Sequence, residues 1–210
     1  MEIDITNPAV DEYLDSLLPA RDPVLQEMEA LALERNIPII GPAVARIVYQ
    51  LVRLVKAKTI FEMGSAIGYS TIWIARAAGE GSTVYYTDGN PDNGRLAAGF
   101  FERAGVRDRI RILTGNALDL LHQTPGTFDI IFCDVDKEQY PQVFHKALPR
   151  IRKGGLFLAD NVLWHGRVTE PPADAATRGI LEFNRLIYSS PELLPAILPI
   201  RDGFAVCEKL

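Results

Sequence analysis

Apolar and polar residues follow two alternating patterns along the chain. Short, nearly continuous apolar runs, such as residues 128–134 and 155–160, are typical of strands buried on both faces. Segments with apolar residues at helical spacing separate these runs and predict helices. Strands that alternate with helices in this way predict an α/β fold, with a doubly wound and mostly parallel sheet.

The pattern predicts an order of elements that begins with helices. Helices are expected at residues 10–17, 23–35, 42–55, 71–78, 91–104, 117–121, 139–151 and 177–189. Strands are expected at residues 59–63, 83–87, 110–114, 128–134, 155–160, 194–200 and 204–209. We therefore expect one domain over residues 1–210, with a helical cover at 1–56 and an α/β core at 57–210. The turn signal at 201–203 predicts that the sheet finishes in an antiparallel pair.

A glycine turn connects the first predicted strand to a helix. Its sequence runs from Glu62 through Gly64 to Gly68, and helical spacing follows. Glycines let the backbone turn sharply and approach a ligand, and a new helix presents unpaired N–H groups. The spacing differs from a dinucleotide fingerprint, and a carboxylate ahead of the first glycine suits a cationic cofactor. Tight packing of the turn is the alternative interpretation.

Further polar residues lie at the predicted strand ends, where α/β sheets bind ligands. Asp88 follows the glycine turn by roughly twenty residues, the spacing of an acid that binds a ribose diol, although an Asp that initiates a turn also explains it. Asn116 and Ala117 close the third strand and bring an amide and a backbone N–H to this edge. These groups are candidates for contact with an adenine ring.

A second cluster of oxygen ligands follows the fourth and fifth strands. Asp134, Asp160 and Asn161 are expected to meet there, and three hard oxygen donors suit Mg²⁺. Lys137 lies one step further and is a candidate general base for an acceptor hydroxyl. The alternative is structural, with Asp160 and Asn161 forming a turn and Asp134 capping a helix. The histidines at 122, 145 and 165 lack metal-ligand spacing.

Composition narrows the classes of protein. The net charge of −5 gives no overall electrostatic attraction to nucleic acid, which makes such a partner a weak alternative. No apolar run is long enough to span a bilayer, and the first residues do not resemble a signal peptide. Cys133 and Cys207 each fall inside a predicted strand, which indicates reduced core residues. We expect a cytoplasmic protein.

The ordered motifs resemble the cation-dependent O-methyltransferases of the catechol and caffeoyl-CoA type, particularly their small bacterial members. The resemblance extends over most of the chain and is carried by Phe61-Glu-Met-Gly-x-x-x-Gly-Tyr-Ser70, Phe128-Asp-x-x-Phe-x-Asp134-x-Asp-Lys137-x-x-Tyr140, Gly154-Gly155, Asp160-Asn161-x-Leu-Trp-x-Gly166-x-Val168 and Leu198-Pro-x-x-Asp-Gly203. It implies a seven-stranded sheet with the last strand antiparallel, and a homodimer. The candidate S-adenosylmethionine-binding residues are then Glu62, Gly64, Ser65, Gly68, Ser70, Asp88, Asn116, Ala117 and Asp134.

The same resemblance implies a reaction. A divalent cation would be held by Asp134, Asp160 and Asn161, with Lys137 and Asp134 as the catalytic residues. The acceptor would be a small phenolic molecule with vicinal hydroxyl groups, chelated by the metal. Two alternatives stay open: methylation of hydroxyuridine in tRNA, and S-adenosylmethionine binding without catalysis. A nicotinamide dehydrogenase is disfavoured by the glycine spacing.

Overall fold

One mixed sheet organises the protein, and the computed structural model describes residues 5–210 of it. Within this range the strands, in chain order β1 to β7, are Thr59–Met63, Thr83–Asp88, Ile110–Thr114, Phe128–Cys133, Ile151–Asp160, Leu193–Leu198 and Phe204–Lys209. Their spatial order is β3-β2-β1-β4-β5-β7-β6. Strands β1 to β5 are parallel, and β7 runs antiparallel to both β5 and β6. The predicted fold class, including the antiparallel last strand, is confirmed.

Helices cover both faces of this sheet. In the described range the α-helices, in chain order α1 to α8, are Pro8–Ser16, Pro23–Arg35, Gly41–Leu54, Tyr69–Ala78, Pro91–Arg103, Ala117–Gln123, Tyr140–Ala147 and Ala175–Ser189. Helices α2 to α5 supply buried residues to one core cluster, and α6 to α8 supply them to the other. Successive residues of a strand face opposite sides, so Ile60 joins the first cluster and Phe61 the second.

Helix ends are fixed by polar caps and prolines. Asp22 caps α2, with its carboxylate accepting from the backbone N–H groups of Val24 and Leu25, and Pro23 occupies the first helical position. Asn36 ends the helix in the left-handed conformation at φ 51°. The segment after α2 then reaches the carboxyl edge of the sheet before α3 begins.

The segment between β4 and β5 differs from its prediction. A single helix over residues 139–151 was expected, whereas α7 ends at Ala147 and a 3-10 turn, Leu148–Arg150, follows. Strand β5 begins at Ile151, which pairs with Phe128 across a register shift in the β4–β5 ladder. The polar and glycine-rich residues at 152–155 look like a loop, but they lie within β5, between the pairs Phe128–Ile151 and Ile130–Leu156.

The sheet order creates a crevice between β1 and β4. The chain builds outward from β1 to β3 and then returns to the other side of β1 with β4. Such a reversal separates the loops at the carboxyl ends of the two central strands, which is where α/β sheets bind ligands. The glycine turn after β1 and Asp134 after β4 both lie at this crevice.

Three other predictions concern the whole chain. Cys133 and Cys207 are buried free cysteines, as expected. Across residues 5–210 there is no helix with both the length and the apolar character needed to cross a bilayer. The single-domain assignment, its division at residue 56 and the cytoplasmic location stay predictions.

Candidate active site

A cavity of about 630 Å³ opens at the carboxyl edge of the sheet. Its wall combines strand ends with residues of the segments that follow α2 and each of the strands β1 to β5. Its lining includes Ile37, Pro38, Gly64, Ala66, Asp88, Asn116, Ala117, Asp134, Lys137 and Trp164. The predicted site residues Glu62, Ser65, Gly68, Ser70, Asp160 and Asn161 are not part of this lining and lie beneath or beside it.

Both glycines of the turn are required by packing. Gly64 and Gly68 each have φ 84°, in the left-handed region that favours glycine. A Cβ atom on Gly64 would overlap the backbone carbonyl of Asp134, and one on Gly68 would overlap the ring of Phe101. Packing alone would thus require glycine at both positions, and Gly64 also lines the cavity, so the cofactor-binding roles stay predictions.

Glu62 is a fully buried carboxyl group under the glycine turn. Burial raises its pKa from 4.5 to about 7, against the lowering effect of hydrogen bonds from the hydroxyls of Ser70, Thr71 and Ser65. The Thr71 hydroxyl donates to Oε2, while Oε1 has no partner within residues 5–210. An unpartnered buried acceptor of this kind fits a cationic or N–H group of a cofactor.

Asp88 already holds two turns in place. Its Oδ2 accepts from the Ala66 N–H at 3.0 Å, and its Oδ1 accepts from the Asn90 N–H at 2.8 Å and the Asn93 side-chain amide at 3.0 Å. Asp88 thus initiates a turn and also lines the cavity. Asn93 had no signal in the sequence, because it lies inside a helical pattern and reaches the site only through the fold.

Asn116 serves as the N-cap of α6. Its Oδ1 accepts from the Leu118 N–H at 2.9 Å and from the Asp119 N–H at 3.3 Å. The amide oxygen is therefore committed to the helix, although Asn116 and Ala117 both line the cavity. The first N–H groups of a helix lack helical acceptors, so Ala117 presents its backbone N–H to this region.

Lys137 is anchored between β4 and α7. Its Nζ donates to Asp134 Oδ1 at 2.8 Å, to the Val135 carbonyl at 3.2 Å and to the Tyr140 hydroxyl at 3.2 Å. The Tyr140 hydroxyl in turn donates to the Asp160 carbonyl at 2.8 Å. Burial raises the pKa of Tyr140 well above its usual value, so this phenol stays protonated and links the two strand ends. The part played by Tyr140 was missed from the sequence, where it stood only within a motif.

Asp160 lies beside Asp134 because β4 and β5 are in parallel register, with Cys133 opposite Ala159. Asp160 is 2% exposed. Burial and then the neighbouring Asp134 carboxylate raise its pKa to about 7, while Arg201, the Asn161 N–H and Lys137 act in the opposite direction. Its Oδ1 has no partner within the described range. Two crowded carboxyl groups with a free buried oxygen fit a divalent cation.

The side-chain amide of Asn161 is the third protein ligand that a cation held by Asp134 and Asp160 would need. Among residues 5–210, no group of three or more His, Cys, Asp or Glu side chains is placed to hold a metal. Asn161 follows Asp160 directly, in the left-handed conformation at φ 58°. Two carboxylates and one amide leave room for water or substrate oxygens, as Mg²⁺ prefers.

A strained loop forms the wall beside Asp160. Trp164 and His165 have φ values of 46° and 52°, and the Trp164 ring lines the cavity. The loop is tied to the β6–β7 turn, since the Leu163 N–H donates to the Asp202 carbonyl at 2.9 Å and the His165 N–H donates to the Asp202 carboxylate. The predicted role of Trp164 as an acceptor wall is compatible with this position.

Comparisons with known proteins identify the family. The O-methyltransferase family matches residues 20–210, so the chain belongs to that family. The catechol O-methyltransferase of Niastella koreensis is 34% identical over 94% of this chain and 95% of its own length. The caffeoyl-CoA O-methyltransferase of Eucalyptus gunnii is 30% identical over 98% of this chain and 89% of its own length. The chain is an O-methyltransferase of this type.

Solved structures agree with this assignment. The O-methyltransferase from Bacillus cereus, in complex with SAH, has a TM-score of 0.88 and 32% identity, over 96% of this chain and 97% of its own. TomG from Streptomyces achromogenes, involved in tomaymycin synthesis and solved in complex with SAM, has a TM-score of 0.88 and 28% identity, over 96% of each chain.

Proposed function

We propose that this protein transfers the methyl group of S-adenosylmethionine to a hydroxyl group of a catechol-type small molecule chelated by a divalent cation. The observation that carries the proposal is the cluster of Asp134, Lys137 and Asp160 at the cavity. It combines a lysine held 2.8 Å from one carboxylate with a second carboxyl group that is buried and has a free oxygen. A protein that only binds a cofactor has no need of such a cluster.

The cofactor proposal is supported by the crevice between β1 and β4. When bound, S-adenosylmethionine supplies a methyl group on a positively charged sulfur. Glu62 and Asp134 are the carboxylates for its cationic end, Gly64 lines the cavity with its backbone, and Asp88 is the acceptor for its ribose hydroxyls. Asn116 and Ala117 lie where its adenine would contact the start of α6. Ser65, Gly68 and Ser70 act indirectly, by holding Glu62 and the turn.

The metal proposal rests on the donor chemistry of three residues. A divalent cation, with Mg²⁺ favoured by the all-oxygen set, would supply Lewis acidity towards the acceptor hydroxyl. Asp134 and Asp160 would provide its carboxylate ligands and Asn161 its amide ligand. The cation would also relieve the repulsion between Asp134 and Asp160.

Lys137 is proposed to receive or stabilise the proton of the acceptor hydroxyl; it receives that proton as the neutral amine, with one of its three hydrogen bonds given up. Its contacts with Asp134, Val135 and Tyr140 fix Nζ at the cavity wall, which places a proton-transfer group at one defined point. The side chain is 11% exposed, so little water surrounds it. Because charge is neutralised when sulfonium and phenolate react, exclusion of water favours the transfer. Trp164 is proposed to hold the acceptor ring.

The experiment is transfer of labelled methyl from S-adenosylmethionine to vicinal dihydroxyphenols, with Mg²⁺ and then with a chelator. Product that disappears with the chelator supports cofactor, cation and acceptor class together. Product that persists in the chelator contradicts the metal proposal alone. Absence of product with every phenol, despite cofactor binding, contradicts the acceptor class and directs the assay to tRNA.

We also propose a homodimer, as the family resemblance implies. Helix α1 supports this proposal because it buries none of its own residues and exposes an apolar stripe at helical spacing. The stripe consists of Val10, Tyr13, Leu14 and Leu17, each 43–61% exposed. Sedimentation of the native protein and of the Tyr13→Glu variant tests this interface. A monomer at micromolar concentration contradicts it.

A further inference from the structure

Arg201 lies near the proposed metal ligand Asp160, beside the cavity but outside its lining. It belongs to the turn that precedes β7, and Phe204 of β7 pairs with Asp160, so the turn projects beyond the carboxyl end of β5. Its Nη1 donates to the Ile39 carbonyl at 3.2 Å. Ile37, two residues earlier in the same segment, lines the cavity. Arg201 therefore joins the segment at the cavity mouth to the edge that carries Asp160.

The guanidinium of Arg201 has unused donors. The side chain is exposed, and the bond to Ile39 is its one hydrogen bond to the protein within residues 5–210. A guanidinium carries five N–H donors in a fork that matches a carboxylate. Lys137, by contrast, is engaged by Asp134, Val135 and Tyr140. Arg201 is thus able to bind a further anionic group.

The backbone at Arg201 does not explain an arginine there. Its φ is 48°, in the left-handed region where glycine is favoured over a residue with a side chain. A residue held in such a conformation points to a use for its side chain. The bond to Ile39 accounts for one donor only.

Around Arg201, in the described range, three carboxylates outnumber two basic side chains, Lys137 and His165. Asp134, Asp160 and Asp202 lie at this edge, and the Arg201 charge is close enough to Asp160 to favour its ionised form. An acceptor that carries a negative charge would be repelled by these carboxylates. Arg201 offsets that repulsion from the turn before β7, where its side chain bonds to Ile39, two residues after the cavity-lining Ile37.

We propose that Arg201 is a specificity-determining residue that selects phenolic acceptors bearing a carboxylate, through paired hydrogen bonds from its guanidinium. This inference rests on the proposed function, because it names the acceptor class of the same site. The catechol end of the acceptor would lie at Asp134, Asp160 and Lys137, and the carboxylate end would lie at Arg201.

The test compares two acceptors that differ only in charge: a vicinal dihydroxyphenyl carboxylic acid and its primary amide. For the native enzyme we expect a KM for the acid roughly tenfold below that for the amide, as a charge-assisted pair predicts. Arg201→Gly suits the backbone conformation and should raise the KM for the acid about tenfold, with kcat and the KM for the amide nearly unchanged. The KM of Arg201→Lys for the acid should lie between those of the native enzyme and Arg201→Gly, since lysine keeps the positive charge but lacks the forked donors of the guanidinium.

Arg185→Ala is the matched control, because Arg185 is an exposed arginine on α8 and its loss changes the net charge equally. It should leave the preference for the acid intact. Equal KM values for acid and amide in the native enzyme would overturn the inference. An equal loss of kcat for both acceptors in Arg201→Gly would also overturn the inference, because that result indicates that Arg201 has a structural role in holding Ile39.

Equilibrium binding of the acid in the presence of a chelator separates this inference from the proposed function. If neither acceptor is methylated, acid binding that weakens about tenfold in Arg201→Gly still supports Arg201 as the carboxylate site. Equal binding by the native protein and Arg201→Gly contradicts it, whatever the methylation assay shows.

Discussion

Two buried carboxyl groups on either side of β4 have a similarly raised pKa, but different neighbours oppose the shift. Glu62 and Asp160 are each raised to about 7, and burial is the largest cause for both. The Asp134 carboxylate raises the pKa of both groups, but the groups that oppose the shift are neutral hydroxyls at Glu62 and include the cations Arg201 and Lys137 at Asp160. The first environment suits one positive or N–H group of a ligand, and the second suits an ion of higher charge. The comparison supports placing the proposed cofactor contact at Glu62 and the proposed cation at Asp160; we call these two places the cofactor end and the metal end.

The largest expected effect is at the metal end. Asp160→Ala should lower methyl transfer by roughly 10³-fold, because a lost ligand removes several kcal/mol of Lewis-acid stabilisation. Calorimetry should find S-adenosylmethionine binding within about twofold of the native protein, since Asp160 lies away from Glu62. Asp108→Ala, at an exposed carboxylate far from the site, is the control. Unchanged methylation in Asp160→Ala would contradict the metal assignment.

Replacement of the lysine should have the next largest effect. Lys137→Ala should reduce kcat about 10²-fold, at the lower end of general acid–base contributions, with a smaller change in acceptor binding. Lys137→Arg keeps the charge beside Asp134 but exchanges the proton poorly. A pH–rate profile and kcat equal to those of the native enzyme in Lys137→Ala would exclude the proposed base.

A smaller effect is expected at the cofactor end. Glu62→Gln keeps the shape of the buried group and removes its negative charge, so affinity for S-adenosylmethionine should fall about tenfold. The saturated kcat should change little, because Glu62 does not line the cavity at Lys137. Isothermal titration of native and variant proteins measures the first quantity. Normal affinity with a low kcat in Glu62→Gln would contradict the proposed role of Glu62 in cofactor binding and indicate a role in catalysis.

The mildest change concerns stability in the absence of ligand. The folded protein holds the Glu62 proton up to about pH 7, whereas an ordinary glutamate releases it near 4.5. The folded state therefore binds more protons in this window, and stability falls as the pH rises through it. Glu62→Gln removes this pH dependence. Relative to the native protein, its free energy of unfolding should therefore rise by on the order of 1–3 kcal/mol between about pH 5 and pH 8. Urea denaturation at both pH values measures it; parallel curves would contradict the raised pKa.

The sheet and the strand ends were predictable because their signals are local. Continuous apolar runs identified the strands, and each strand end carried its polar residue within one or two positions. Asp134 and Asp160 could be brought together from sequence since neighbouring parallel strands finish at the same edge. The start of β5 could not be predicted from the sequence. It is set by the pairing of Ile151 with Phe128, whereas the composition of the glycine-rich residues that follow does not indicate a strand.

The supporting contacts of the site were less accessible to sequence reasoning. The Tyr140 hydroxyl links Lys137 to the Asp160 carbonyl through residues from three segments, and Arg201 meets Ile39 across a long stretch of chain. Lys137 and Tyr140 stand three residues apart within one motif, but no spacing signal connects Tyr140 to Asp160 or Arg201 to Ile39. Such contacts depend on side-chain directions that only the folded chain defines.

The place of β7 in the sheet has a consequence for biosynthesis. Asp160 belongs to a strand that needs Phe204–Lys209 as its neighbour, and the Val162 N–H donates to the Gly203 carbonyl at 3.1 Å. Domains generally fold as units during synthesis. The glycine turn and Asp88 emerge early, but the carboxylate cluster stays without its neighbouring strand until Phe204–Lys209 has emerged. The order of translation thus delays assembly of the metal end until β7 has been made.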